Sequence, residues 1–343
     1  MYAFATLDPR PTAEAAEANA KVLGARTLGI EVTVDALAGQ CGLGNIDPQH
    51  SGGNAELSAI ESALTAELPA EGSTLVTVRA DLDSVGAMAI FQMRADGIFS
   101  WREEDSEAWH GQYDRPGEYY TQEDSPYMSC DQNWLYRDEK KRLQQVAAAD
   151  IFARGGYPGP QTPPTTANPW PEVGASASDS QSLAAIAAAV ADFRVPLGDR
   201  VATMRKWLLT GEEPEAYRQQ VEKERLALIT ALESGAIKHE VRANGRIAVV
   251  ESTHRAATMV GYSLAPVVVA RNPAFKQGAG EPYIKYTICA YEAKFADIKA
   301  ALAELAELEA GWGGSPTIGG SPQGVSSILT TDQVAAIVKK HLK

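Results

Sequence analysis

The sequence has few cysteines and no long hydrophobic run. Three of its 343 residues are cysteines, Cys41, Cys130 and Cys289, and no CxxC pair is present. This spacing argues against a disulfide framework and a structural zinc site, and it favours reduced thiols in a cytoplasmic protein. Because no stretch of about 20 apolar residues occurs, we expect no membrane-spanning helix. The N-terminal residues lack a basic segment followed by an apolar run, so we expect no signal peptide.

Positive charge is also scarce. The chain has 31 Lys and Arg against 44 Asp and Glu, which gives a net charge of −13. Proteins that coat duplex nucleic acid neutralise phosphates with Lys and Arg, so this balance argues against that class. An acidic chain can still bind a small phosphorylated molecule or a short oligonucleotide at a local site, where a divalent cation offsets the like charges.

The pattern of hydrophobic residues predicts an α/β protein with two lobes. A hydrophobic fraction of 45% is ordinary for a globular protein, and 343 residues exceed the size of a single core. In residues 1–95, strand-like runs at 2–7, 27–34 and 73–78 alternate with helical runs. This alternation predicts a parallel sheet with flanking helices.

The remaining residues predict three further regions. Residues 97–137 are rich in aromatic residues, Gly and Pro with little periodicity, and residues 155–175 are rich in Pro, which indicates an irregular insertion at 97–175. Within it, residues 140–152 are predicted to be helical. Residues 176–238 predict a helical linker region. We therefore expect an N-terminal lobe of residues 1–238 and a smaller C-terminal α/β lobe of residues 239–343, with a cleft between them.

The most specific motif is RADLDSVGA, which follows the predicted strand at 73–78 and opens a helix. Ligands bind at the carboxyl ends of strands in parallel sheets. Asp81 and Asp83, one residue apart at such an end, can hold a hard divalent cation through oxygen. The alternative is that both carboxylates only cap the helix that follows.

A second polar motif, NIDPQH, lies in a glycine-rich loop predicted at residues 42–53, after the strand predicted at 27–34. His50 can act as a metal ligand or an acid–base group, and Asp47 can complete a metal site with Asp81 and Asp83. Asp8, at the end of the first predicted strand, is a reserve carboxylate. The alternative is an Asx turn with an exposed histidine.

A glycine-rich loop near the C-terminus contains Gly313, Gly314 and Ser315. Backbone N–H groups of such loops can bind anions, although the sequence is not a Walker motif. We expect this loop and His254, at the start of a predicted helix, to hold the far end of a substrate. A purely structural role is the alternative for both.

Three of these segments resemble motifs of the DHH phosphoesterase superfamily. RADLDSVGAMA resembles its Asp-x-Asp motif, and IDPQH resembles a degenerate form of its Asp-His-His motif. The segment GWGGSP is similar to the Gly-Gly-His-like loop of its substrate lobe. The chain departs from the family at Thr77, where the first motif has His, and at Ser315, which replaces the loop His. The order of the first two motifs is also reversed.

The resemblance implies hydrolysis of phosphodiesters, pyrophosphate or short oligonucleotides with Mn²⁺ or Mg²⁺. We therefore expect a metal-dependent phosphoesterase with Asp81, Asp83 and His50 as catalytic residues, and with Asp47 as a further metal ligand. One alternative is an inactive DHH-like protein that binds a nucleotide or a partner, which the missing histidines favour. Another is a homo-oligomeric structural protein.

Overall fold

The computed structural model describes residues 1–10, 12–47, 58–98, 137–150, 157, 159–170, 177–276 and 281–343. These residues form an α/β protein with two compact units, which confirms the predicted fold class. Unit 1 comprises Met1–Arg154 and Gly174–Val221, and unit 2 comprises Gly155–Val173 and Glu222–Lys343. Residues 99–136 of the predicted insertion lie outside the described residues.

Unit 1 contains a four-stranded sheet with the order β1-β4-β2-β3, in which all pairings are parallel. The strands are β1 (Ala3–Thr6), β2 (Thr27–Ile30), β3 (Asn45–Ile46) and β4 (Thr74–Thr77). Leu75 and Val76 of β4 have no exposed surface, as expected for a central parallel strand covered on both faces. Strand β3 is a correction, because its residues were predicted to belong to a loop.

The helices described in unit 1 cover this sheet and each other. They are α1 (Ala13–Ala20), α2 (Asp35–Ala38), α3 (Ala59–Thr65), α4 (Leu82–Ala95), α5 (Arg137–Asp150), α6 (Ala177–Ala191) and α7 (Leu197–Thr210). Helix α4 is the centre of the core, since every residue from Asp83 to Met93 is buried. A helix that is apolar almost all round requires neighbours on every side. Helices α3 and α7 are among these neighbours.

Unit 2 contains a six-stranded mixed sheet with the order β5-β6-β7-β8-β10-β9. Only β6 and β7 pair in parallel, and the other four pairings are antiparallel. The strands are β5 (Lys238–Arg242), β6 (Ile247–Glu251), β7 (Val267–Phe275), β8 (Tyr283–Ala290), β9 (Gly313–Gly314) and β10 (Ile318–Gly320). Strand β5 was not predicted, and β9 and β10 lie where a loop was predicted.

Four helices complete the described structure. They are α8 (Glu215–Glu233), which includes residues of both units, α9 (Ala257–Leu264), α10 (Ile298–Leu308) and α11 (Thr331–Lys340). Helix α11 begins with a capping box in which Thr330 accepts from the Gln333 N–H and Gln333 accepts from the Thr330 N–H. No helix within the described ranges is long and apolar enough to span a bilayer.

Candidate functional site

An acidic residue follows each strand of the parallel sheet in unit 1. Asp8 follows β1, Glu31 follows β2, Asp47 follows β3, and Asp81 follows β4. Because all four strands run in the same direction, their carboxyl ends lie at one edge of the sheet. We call this edge the carboxyl edge. It is the position at which open parallel sheets bind ligands.

Glu31 and Asp47 follow directly on residues that are paired across β2 and β3. Ile30 and Ile46 are register partners, and the Glu31 N–H donates to the Ile46 carbonyl at 2.8 Å. The Asn45 side chain extends this pairing, since its Oδ1 accepts from the Val32 N–H and its Nδ2 donates to the Val32 carbonyl, both at 3.1 Å. The register therefore sets Glu31 and Asp47 side by side at the carboxyl edge.

Glu31 is a residue that the sequence analysis missed. The predicted strand at 27–34 ends at Ile30, because Glu31 has a φ of 52°, in the left-handed region that side chains other than glycine rarely adopt. Such a conformation costs on the order of 1 kcal/mol, and such residues cluster at functional sites. The only signal in the sequence was a charged residue inside the β-branched run TLGIEVTV.

Asp81 caps helix α4 at the end of β4. Its Oδ1 accepts hydrogen bonds from the Ser84 N–H at 3.2 Å and the Ser84 hydroxyl at 2.9 Å. Its Oδ2 lies 3.9 Å from Nε of Arg79, whose side chain is 86% exposed. Asp81 therefore caps with one oxygen, as the alternative interpretation of the motif predicted, and it also lies beside an exposed cation.

Asp83 was considered as a cap of the helix that follows it, α4, but its side chain caps α3. Its side chain is buried, and its two oxygens accept from the N–H groups of Ala59 at 2.5 Å and Ile60 at 2.8 Å. These are the first two residues of α3, about 23 positions earlier in the chain. Asp81 and Asp83 thus hold the starts of two helices.

Asp8 forms an ion pair with a residue of its own turn. Arg10 donates to both carboxylate oxygens of Asp8, with the shortest distance, from Nη2 to Oδ2, at 2.6 Å. The side-chain hydrogen bonds from Arg10, followed by its backbone hydrogen bond, lower the pKa of Asp8 to about 2. Asp8 is therefore ionised and already neutralised by Arg10 at neutral pH.

Asp47 and His50, two of the predicted metal ligands, both follow strand β3 in the sequence. Asp47 is buried, and His50 lies outside the described residues. Among the residues that the structure describes, no three His, Cys, Asp or Glu side chains are grouped closely enough to hold a metal ion. Mg²⁺ commonly uses one or two carboxylates together with water and substrate phosphates. A metal site at the carboxyl edge therefore stays a prediction.

The glycine-rich loop of unit 2 forms a tight two-stranded ribbon. A Cβ at Gly314 would overlap backbone atoms of Gly319 and Ile318, and a Cβ at Gly319 would lie 2.7 Å from the Gly313 carbonyl oxygen. The Ser315 hydroxyl accepts from the Ile318 N–H at 3.2 Å and so closes the turn of the ribbon. Backbone packing therefore accounts for Gly314 and Gly319, and a substrate-binding role for Gly313, Gly314 and Ser315 stays a prediction.

His254 lies in the turn between β6 and α9. Its Nδ1 accepts from the Ala256 N–H at 3.2 Å, and its own N–H donates to the Ser252 hydroxyl at 3.0 Å. Strands β6 and β9 are four strand spacings apart, which is roughly 19 Å along the sheet. The structure therefore does not bring His254 beside the glycine ribbon with which it was predicted to share a substrate.

Comparisons with known proteins leave the family open. No protein-family model and no curated protein matches the chain. Among solved structures, a pGpG-specific phosphodiesterase, PggH from Vibrio cholerae, is similar to part of the chain. The sequence identity is 9%, the TM-score is 0.31, and the match covers 46% of this chain and 56% of that one. The match thus spans about half of that phosphodiesterase, and a likeness of this extent establishes neither a family nor an activity.

Proposed function

We propose that the protein is a phosphoesterase that uses a divalent cation at the carboxyl edge of unit 1. The supporting observation is the parallel sheet in which Asp8, Glu31, Asp47 and Asp81 follow the four strands. Arg10 neutralises Asp8, but the other carboxylates at this edge repel one another, and a cation relieves this repulsion. The substrate would be a small phosphorylated molecule or a short oligonucleotide, since a net charge of −13 disfavours a long duplex.

We assign the cation to Asp47, Asp81 and the predicted ligand His50. Asp83 belonged to the same predicted set, but both of its oxygens already accept hydrogen bonds from α3. A bound Mg²⁺ or Mn²⁺ would polarise a phosphoryl oxygen and lower the pKa of water. Asp81 can take part without losing its cap, because Oδ1 accepts from Ser84 while Oδ2 has no hydrogen bond to that residue.

Arg79 is the residue best placed to bind the phosphoryl group. It lies between β4 and Asp81, and its guanidinium is 3.9 Å from the Asp81 carboxylate. Guanidinium groups bind phosphate with two parallel hydrogen bonds. The exposed Arg79 side chain can therefore attract an anion to a surface that is otherwise acidic.

The test is Asp81→Asn in the full chain. Asn caps a helix about as well as Asp, so the melting temperature should stay the same while the charge is lost. We expect Mn²⁺ affinity to fall at least about tenfold, together with any hydrolysis of a p-nitrophenyl phosphodiester. The matched control is Asp297→Asn, which alters the aspartate that caps α10 in unit 2 and should change neither quantity.

The proposal fails if the wild-type chain binds no Mn²⁺ and hydrolyses no phosphoester. It also fails if Asp81→Asn and Asp297→Asn give the same affinity and the same rate. In the second case the site would have to lie away from the carboxyl edge.

A second candidate function is ligand binding without hydrolysis, and Thr77 favours it. Thr77 has no exposed surface, and its hydroxyl donates to the Arg79 carbonyl at 3.0 Å. A hydroxyl engaged in this way offers no imidazole at the position where the resembling motif carries His. Mn²⁺ binding to the wild-type chain without turnover of the p-nitrophenyl phosphodiester would favour this function.

A further inference from the structure

Helix α3 is short, and helix α4 supplies a charged side chain to each of its ends. Helix α3 has seven residues, whereas isolated helices shorter than about 12 residues are marginal in water. Its stability must therefore come from tertiary contacts. The two side chains are Asp83 and Arg94, which belong to the first and last turns of α4.

The start of α3 is held by a buried carboxylate. The first N–H groups of a helix have no partner within the helix, and they carry the positive end of its dipole. Asp83 accepts from the N–H groups of Ala59 and Ile60, and the Ser58 hydroxyl accepts from the Glu61 N–H at 3.4 Å. The orphan donors of α3 are therefore satisfied by its own cap and by α4 together.

The end of α3 is held by a guanidinium. Arg94 Nη1 donates to the carbonyl oxygens of Ala63 and Ala66, both at 2.7 Å. A positive charge at this end complements the negative end of the helix dipole. Near its start, α3 also packs closely on α4, since a Cβ at Gly86 of α4 would lie 2.6 Å from Cδ1 of Ile60. Both ends of α3 are thus fixed against α4.

We propose that Asp83 and Arg94 are positioning residues for the carboxyl edge, an inference that rests on the proposed function. Helix α4 begins at the turn that carries Asp81, and helix α3 contacts β3, the strand that Asp47 follows. By holding α3 against α4, the two charged side chains set the spacing between β3 and the Asp81 turn. Neither residue needs to touch the cation to control its affinity.

Arg94→Gln in the full chain is the decisive variant. Removal of a positive charge would, by electrostatics alone, strengthen the binding of a cation. If Arg94 positions α3, Mn²⁺ affinity should instead fall roughly tenfold, as is typical when the support of a metal ligand is lost. Arg94→Lys keeps the charge and the donor, and it should recover most of the affinity. Calorimetric titration with Mn²⁺ alone measures all of these variants.

Arg142→Gln is the matched control in the same unit. Arg142 donates to the carbonyl oxygens of Leu208 at 2.8 Å and Leu209 at 3.0 Å, at the end of α7. The control therefore removes the same charge and the same kind of helix cap at a different helix. Its Mn²⁺ affinity should equal or slightly exceed that of the wild type.

A second variant keeps the test valid if Arg94→Gln does not fold. Asp83→Glu retains the negative charge but lengthens the side chain that holds the start of α3. It should also lower Mn²⁺ affinity roughly tenfold. Amide hydrogen exchange of residues 58–66 should be faster in both variants than in the wild type.

Each failure has a distinct signature. If exchange in α3 becomes faster while Mn²⁺ affinity stays at the wild-type value, the positioning role is overturned and the proposed function stands. If Arg94→Gln and Arg142→Gln weaken Mn²⁺ binding equally, general destabilisation is the cause, and the positioning role is again overturned. A wild-type chain that binds no Mn²⁺ overturns the proposed function and this inference with it.

Discussion

The two sheets of this protein distribute their polar residues in different ways. In unit 1 all pairings are parallel, so the acidic residues that follow the strands share one edge. In unit 2 only β6 and β7 are parallel, so the segments that follow the strands are divided between opposite edges. His254 and the glycine ribbon are consequently far apart. Uniform strand direction, more than any single motif, gathers residues that are distant in the sequence.

The two units also differ in where the chain uses special backbone positions. The ribbon glycines Gly314 and Gly319 are required by backbone packing within unit 2. Glu31 in unit 1 has a backbone φ of 52°, which a side chain other than glycine rarely adopts. Substitutions can test whether backbone packing explains the ribbon glycines, and how far the charged residues at and near the carboxyl edge contribute to stability.

The largest effect should come from Gly314→Ala. The added methyl group would overlap backbone atoms of Gly319 and Ile318, so we expect a loss of about 3 kcal/mol in the free energy of unfolding. Gly313→Ala is the matched control, because no atom lies within 4 Å of its added Cβ. Its change should stay within about 1 kcal/mol. Urea denaturation measures both, and equal losses would contradict the packing explanation.

A smaller effect is expected from Asp83→Asn in unit 1. The amide can accept from only one of the two N–H groups that Asp83 binds, and the negative charge at the start of α3 is lost. We expect the free energy of unfolding to fall by about 2 kcal/mol. Asp297→Asn, at an exposed cap in unit 2, should change it by less than about 0.5 kcal/mol. A stable Asp83→Asn variant would show that α3 does not depend on this carboxylate.

The smallest effect on stability is expected for Asp8, and it should appear as a change in the pKa of this carboxylate. Because its folded pKa of about 2 lies below the usual value of about 3.9, Asp8 stabilises the fold above pH 4 or so. This contribution is lost as the pH falls towards the folded pKa. Arg10→Gln should return the pKa of Asp8 towards its usual value in an NMR titration.

Asp192 provides the internal control for that titration. Its pKa is lowered by hydrogen bonds from Arg194 and Tyr217, so it should not respond to Arg10→Gln. A shift at both carboxylates would indicate a general change in unit 1 instead of the loss of one ion pair.

Strand-forming runs of six residues were predicted well from the sequence. The runs at residues 2–7 and 73–78 are observed as strands β1 and β4. In each case the signal is contained in a few consecutive residues. Short strands were missed for the opposite reason. The two-residue strands β3 and β9 are defined only by the partner to which they pair.

The sequence by itself determined strands β1 and β4 and the acidic residues Asp8 and Asp81 that follow them, because both depend on neighbours within a few positions. Only the tertiary structure decided which of these residues meet. Parallel pairing set Glu31 beside Asp47. The packing of α3 against α4 brought the Asp83 carboxylate to the first N–H groups of α3 and not to those of its own helix. The physical reason is that a buried carboxylate must find hydrogen-bond donors wherever the packed chain supplies them. Here the donors lie more than twenty residues away in the sequence.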